Sequence, residues 1–323
     1  MKKLKAHLAG CLLGSLCAAS AALAAYPDKP VKLVVPYPPG GASDTTARLL
    51  SEKLNGVMGG NFVVENRPGA NGNIAADYVA KASPDGYTLL VANVGPNAIN
   101  QSIYPNLSYD VNKSFAPVTQ ISTVPIVLVA GPQVKARNID ELVKDIKASP
   151  GKYTFASAGN GASNHLVGEM FAQGLELDMM HVPYQGDTPA MTDVMSGQVS
   201  MMFATAVAAR PHIDSGKVRV MGVATKDRVA SLPDAPTIDA TVLPGFDAAS
   251  WGGIVAPAGT PPDVVNALHD AIVKIMNMPD VKERMTGLGA VIVTSKPDEF
   301  AQYIRAETDK WGAVVKTAGI GAK

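Results

Sequence analysis

Cysteine is almost missing from this chain. Only Cys11 and Cys17 occur, both close to the N-terminus. Beyond them there can be no disulfide, no thiolate-bound metal and no cysteine nucleophile. Net charge is missing too. There are 28 basic and 28 acidic residues and no basic stripe, which excludes an electrostatic nucleic-acid binder. Charged residues reach only 17% while apolar ones reach 47%, so the chain is neither disordered nor low in complexity and has ample core material. Catalytic signatures are absent: no G-x-S-x-G elbow, no H-E-x-x-H and no P-loop Gly-Lys-Ser/Thr. The histidines are His7, His165, His181, His212 and His269, and no two stand at metal-ligand spacing. Neither a metal nor a cofactor is expected.

What the N-terminus does have is a targeting pattern. Lys2, Lys3 and Lys5 are followed by an uncharged run, Leu8 to Leu23, and then by the small-residue site Ala22-Leu23-Ala24. The run is about 16 residues, short of the ~20 that span a bilayer. This is the pattern of a secretory signal peptide, residues 1–24, cut after Ala24. Leu8-Ala9-Gly10-Cys11 imitates a lipoprotein box, but the apolar stretch follows Cys11 instead of preceding it. Removing Lys2, Lys3 and Lys5 from 28 basic residues leaves 25 against 28 acidic ones, and takes both cysteines away. A soluble periplasmic protein held by its cores alone is the expectation.

The remaining chain alternates short apolar strands with helical patterns. Val31–Val35 reads as a strand, Asp44–Met58 as a helix stopped by Gly59-Gly60, Asn61–Glu65 as a strand, Asn73–Ala82 as a helix and Tyr87–Ala92 as a strand. The rhythm resumes at strand Ile126–Ala130. Asn138-Ile139-Asp140-Glu141 is a capping box that opens a helix. Strand Tyr153–Ala158, helix Ser163–Gly174, strand Met179–Pro183, a helix capped at Thr188-Pro189, strand Val199–Ala204, a short helix near His212 and strand Val218–Ala224 follow. This order predicts an α/β fold of doubly wound parallel sheets. The last third adds a strand at Gly253–Ala256 and two long helices, the second over Pro297–Ala318. One strand and two helices cannot close a core, so they are expected to return to the first unit. The chain then crosses twice, near Val124–Val127 and Ser250–Gly253. That predicts a hinged clamshell of two lobes, 26–124 with 252–323, and 125–251.

Four glycine-rich loops stand between strands and helices: Pro38–Asp44, Arg67–Gly72, Ala158–Asn164 and Tyr184–Asp187. In a doubly wound sheet such loops lie at the carboxyl ends of strands, where ligands bind. Each leads into a helix N-terminus, whose free N–H groups and positive dipole end attract an anion. Taken singly, each loop is a tight turn; two in each lobe facing one cleft point to an anion site. Gly161 belongs to this backbone grip. Asp44 is open between N-cap and ligand contact. Arg48 and Arg67 read as salt-bridge partners, His165 as a cap or packing residue, and the Met179-Met180 and Met201-Met202 pairs as core. Trp251 lies at a crossing, where it would sense hinge motion.

Five stretches then carry a resemblance: VPYPPGGASDTTAR, VVENRPGANGNIAADYVAKASPDGYTLL, YTFASAGNGASNHLVGEMF, HVPYQGDTPAMTDVMSGQV and SWGGIVAPAGTP. In this order they resemble the solute receptors of tripartite tricarboxylate transporters, also called Bug-type receptors. The resemblance implies a periplasmic binding protein of two α/β lobes that holds a small carboxylate between them. It implies hand-over to inner-membrane permease subunits and no catalysis. By matching motifs it implies ligand contacts at Gly40, Gly41, Ser43 and Asp44 in the first lobe, and at Ser163, Tyr184 and Gly186 in the second. Asn71, Ala162 and Gln185 depart from the commonest pattern, which has Gly, Ser/Thr and Lys there. Asn71 and Ala162 join the candidate set with Asn93 and Thr205, which directly follow two of the strands. The protein is expected to act as a monomer, without nucleic acid.

Two other functions compete at this stage. A secreted hydrolase or isomerase would use Asp44 and His165. A receptor that signals to a sensor kinase needs the same clamshell as one that serves a permease.

Overall fold

The computed structural model describes residues 26–287 and 289–320; the expected signal peptide lies outside the described residues. The first unit is β1 (Val31–Val35), α1 (Ala42–Met58), β2 (Phe62–Asn66), α2 (Asn73–Ala80) and β3 (Thr88–Asn93). Its strands are parallel in the order β2-β1-β3. A short α3 (Asn100–Ile103) leads to the 16-residue β4 (Phe115–Ala130) and then to α4 (Ile139–Ala148). The same unit then recurs as β5 (Tyr153–Ser157), α5 (Ser163–Gly174), β6 (Met179–Pro183), α6 (Asp187–Met195) and β7 (Met201–Thr205). These strands are again parallel, in the equivalent order β6-β5-β7. Next come α7 (Ala206–Asp214), β8 (Arg219–Val223) and β9 (Ala249–Pro257). Then α8 (Pro262–Met276), α9 (Pro279–Gly287), β10 (Val291–Ile292) and α10 (Pro297–Ala318) close the chain.

The two parallel units are joined by antiparallel strands. β9 pairs with β3, and with β4 from Phe115↔Pro257 to Pro125↔Ala249. Beyond Pro125, β4 runs on and pairs with β7 and β8 instead, Ile126 opposite Thr205 and Val127 opposite Val223. One continuous strand therefore serves both halves. The sequence pattern predicts only Ile126–Ala130 of it, and predicts parallel pairing. Thr119, Gln120, Ser122 and Thr123 interrupt the apolar run, yet the first three are buried. Ser295 meets two of them: Thr119 Oγ1 donates to Ser295 O at 2.9 Å, and Ser295 Oγ accepts from Gln120 N at 3.2 Å.

The core follows the period of two. Val31, Leu33 and Val35 face α1 and α8, packing with Leu50, Leu54, Leu268 and Ile272. Val34 faces the other way, with Ala75, Val79 and Leu90. Each such buried aliphatic contributes roughly 1.5–3 kcal/mol. Of the final helices, α8 packs on α1 and β4, and α10 on α3, β4 and α5. Asn138 caps α4, its Oδ1 accepting from Glu141 N at 2.9 Å. Among the described residues, no helix is long and apolar enough to cross a membrane.

Candidate functional site

Strand order decides where the site lies. In each unit the first strand sits between the other two, so the chain leaves it in one direction and returns past it. A crevice opens at the carboxyl ends where the order reverses. The two crevices face each other and enclose a cavity of about 70 Å³, room for some five water molecules at ~10–15 Å³ each. The first unit contributes Tyr37, Gly41 and Ser43 after β1, and Asn93 at the end of β3. The second contributes Ala162, Ser163 and Asn164 after β5, Gly186 and Asp187 after β6, and Thr205 at the end of β7. Ser122 of β4 and Ser250 and Trp251 of β9 form the floor.

Helices α1, α5, α6 and α7 all begin at this cavity. Gly41, Ala162 and Gly186 stand at the N-caps of α1, α5 and α6, and none supplies a capping side chain. The first-turn N–H groups of these three helices are left for another acceptor. Only α7 is capped from its own side chain, Thr205 Oγ1 accepting from Ala208 N at 3.3 Å. Among the described residues, no lysine, arginine or histidine lines the cavity. The arrangement can bind an anion through oriented N–H dipoles.

One acidic side chain does line it. Asp187 Oδ1 accepts from Asn164 Nδ2 at 2.9 Å. Burial raises the Asp187 carboxyl to about 6, against the opposing pull of Asn164 and Thr205. Tyr37 has its phenol pushed far up, by burial first and by the nearby Asp187 charge second.

The twelve residues expected from sequence divide. Gly41, Ser43, Asn93, Ala162, Ser163, Gly186 and Thr205 line the cavity; Gly40, Asp44, Asn71, Gly161 and Tyr184 do not. The Asp44 carboxylate is engaged by Gly40 N at 2.9 Å, Arg48 Nε at 2.9 Å and Asn66 Nδ2 at 2.9 Å. Gly161 N donates to His165 Nδ1 at 3.0 Å, so it serves the loop and is not free for a ligand. Asn71 takes the left-handed conformation (φ 51°) that asparagine tolerates, and its Nδ2 donates to Asn100 Oδ1 at 2.8 Å. Tyr184 donates its hydroxyl to Asp193 Oδ2 at 2.6 Å. His165 stacks on His181 with ring centroids 3.8 Å apart, beneath the Ala158–Ala162 loop. His181 is pushed down to about 3 by burial and by His165. Arg48 and Arg67 pair with Asp44 and Glu65.

Sequence reasoning did not single out Tyr37, Ser122, Asn164, Asp187 and Ser250. Tyr37, Asn164 and Asp187 lie inside the quoted motifs, so their position beside a glycine turn was the available signal. Ser250 opens the quoted stretch SWGGIVAPAGTP, whereas Ser122 is a strand residue with no local signature.

The family described as "Tripartite tricarboxylate transporter family receptor" matches residues 46–320. The chain is 35% identical over 299 residues to "Protein BugT" of Bordetella pertussis, covering 92% of each. Its fold matches "R. palustris Rpa4515 with adipate" at TM-score 0.90 and 32% identity, covering 92% of this chain and 99% of that one. It matches MatC (Rpa3494) from Rhodopseudomonas palustris with bound malate at TM-score 0.85 and 33% identity, covering 90% and 100%.

Proposed function

Because the chain belongs to the tripartite tricarboxylate transporter receptor family, we propose that it is a periplasmic receptor that captures one small carboxylate and delivers it to an inner-membrane permease of that transporter class. Its family and its structural neighbours are solute-binding receptors and not enzymes. The observation that carries the carboxylate is the convergence of three uncapped helix N-termini on a cavity with no cationic side chain. A hydrogen bond to a charged group contributes roughly 1.5–3 kcal/mol, so a few approach the ~8.2 kcal/mol of micromolar affinity. The adipate and malate of the two relatives are small dicarboxylates, in keeping with that cavity.

The lobes we assign are 26–124 with 252–323, and 125–251. The division at 124/125 rests on the change of partner along β4. Residues 1–24 act as the export signal, and the receptor works as a monomer. The test is uptake: deleting the gene should abolish accumulation of the labelled ligand, and restoring it should bring accumulation back. Undiminished uptake in the deletion strain would overturn delivery to a permease.

A further inference from the structure

The charged side chain on the cavity wall has the wrong sign for a receptor that holds nothing but a carboxylate. Asp187 opens α6 and lines the cavity with the N-termini of α1 and α5. The group that holds its carboxyl is neutral: Asn164 Nδ2 donates to Asp187 Oδ1 at 2.9 Å, and no cationic side chain lines the cavity beside it. Burial raises this carboxyl to about 6 against that donor, so it is ionised at pH 7.5. A ligand carboxylate enclosed beside an ionised Asp187 would be repelled unless the ligand also brings a positive charge. The cavity is built with both ends of such a molecule in view: donor-only helix N-termini for the carboxylate, and an acceptor oriented by Asn164 for a cation.

We propose that Asp187 makes this receptor selective for an amino carboxylate, accepting the ligand's ammonium while the helix N-termini hold its carboxylate. This rests on the receptor reading above. The competing role for Asp187 is purely structural, an acid that complements the N-terminus of α6. A third possibility, a protonated Asp187 donating to a second ligand carboxylate, makes the opposite prediction for pH.

The test is titration calorimetry at pH 7.5 on the purified chain and on Asp187→Asn, which keeps the shape and an acceptor for Asn164. The probes are matched pairs: glutamate and glutarate, aspartate and succinate, 2-aminoadipate and adipate. In the unmodified protein, the amino member of at least one pair should bind tenfold or more tighter than its partner. Asp187→Asn should weaken that amino member by tenfold or more and leave the plain diacid within threefold or tighter. If the variant fails to fold, the pH dependence of the unmodified protein decides. The titratable group facing Asp187 is the Tyr37 phenol, which stays neutral in this range, and Asn164 and Thr205 do not titrate. The amino preference should therefore shrink as pH falls from 7.5 to 5.5. Equal or tighter binding of the plain diacids, a preference untouched by Asp187→Asn, or one that grows at low pH would overturn the proposal and leave the receptor reading standing. Failure of every member of every pair to bind would overturn both.

Discussion

The Asp44 carboxylate is occupied from within by Gly40, Arg48 and Asn66, and this locks the loop that places Gly41 and Ser43 at the cavity. Burial pushes the Asp44 carboxyl up, but Arg48, the Gly40 N–H and Asn66 outweigh it and hold the group below its ordinary 3.8. A lowered folded value stabilises the fold above the unfolded value, and that contribution is lost as pH falls through the folded one. Asp44→Asn should therefore cost about 1.5–3 kcal/mol at pH 7 in urea unfolding, with the deficit closing below about pH 4. Arg48 lies outside the cavity with its side chain more than half exposed, so Arg48→Ala should weaken ligand binding less than tenfold, about 1.4 kcal/mol. Gly161 behaves differently. Its φ is +76°, and a Cβ there would lie 2.5 Å from Ile103 Cδ1 of α3, across the seam between the halves. Gly161→Ala should lower affinity more than tenfold by straining the left-handed turn that presents Ala162 and Ser163 to the cavity, a result that calorimetry checks. At this scale the glycine loops were legible because φ > 0 and helix starts leave a compositional mark. Which N–H groups they leave free was not, because His165 and Asp44 reach back four residues to claim two of them.

Among the elements, α10 is tied to the cavity floor through one buried acid. Glu307 Oε2 accepts from Trp251 Nε1 of β9 at 3.1 Å and from Trp311 Nε1 at 2.8 Å. Glu307→Leu would orphan two buried indole donors at roughly 1–3 kcal/mol each, so it should destabilise by several kcal/mol in urea unfolding and alter tryptophan emission. A loss below 1 kcal/mol would contradict this account of the α10–β9 contact. The strands and helices of the two repeated units were readable because each is a short run of uniform period. β4 was half hidden because its partners bury it on both sides, which lets buried Thr119, Gln120 and Ser122 stand where periodicity expects apolar residues. α9 escaped because only Val281 and Met285 of its nine residues are buried, too few to print a face on the sequence.

For the molecule as a whole, the loops of the two halves meet over the cavity. A Cβ on Gly186 would lie 3.2 Å from Pro38 Cδ, and one on Gly40 would lie 3.8 Å from Thr188 Oγ1. A ligand that touches both halves stabilises this arrangement by its differential affinity for it. Small-angle scattering should therefore show a smaller radius of gyration with saturating ligand than without. The repeated order β2-β1-β3 and β6-β5-β7 explains why such a cavity exists: two switch points, placed face to face by β4 and β9, bring the helix starts together. The central claim is that these helix starts hold a carboxylate without a cationic side chain. Calorimetry of the purified chain with glutamate, malate and adipate, each against its methyl esters, tests it most directly. The account predicts micromolar or tighter binding of at least one free acid and a loss of a hundredfold or more on esterification. Ester binding as tight as acid binding, or no binding of any acid, would contradict it.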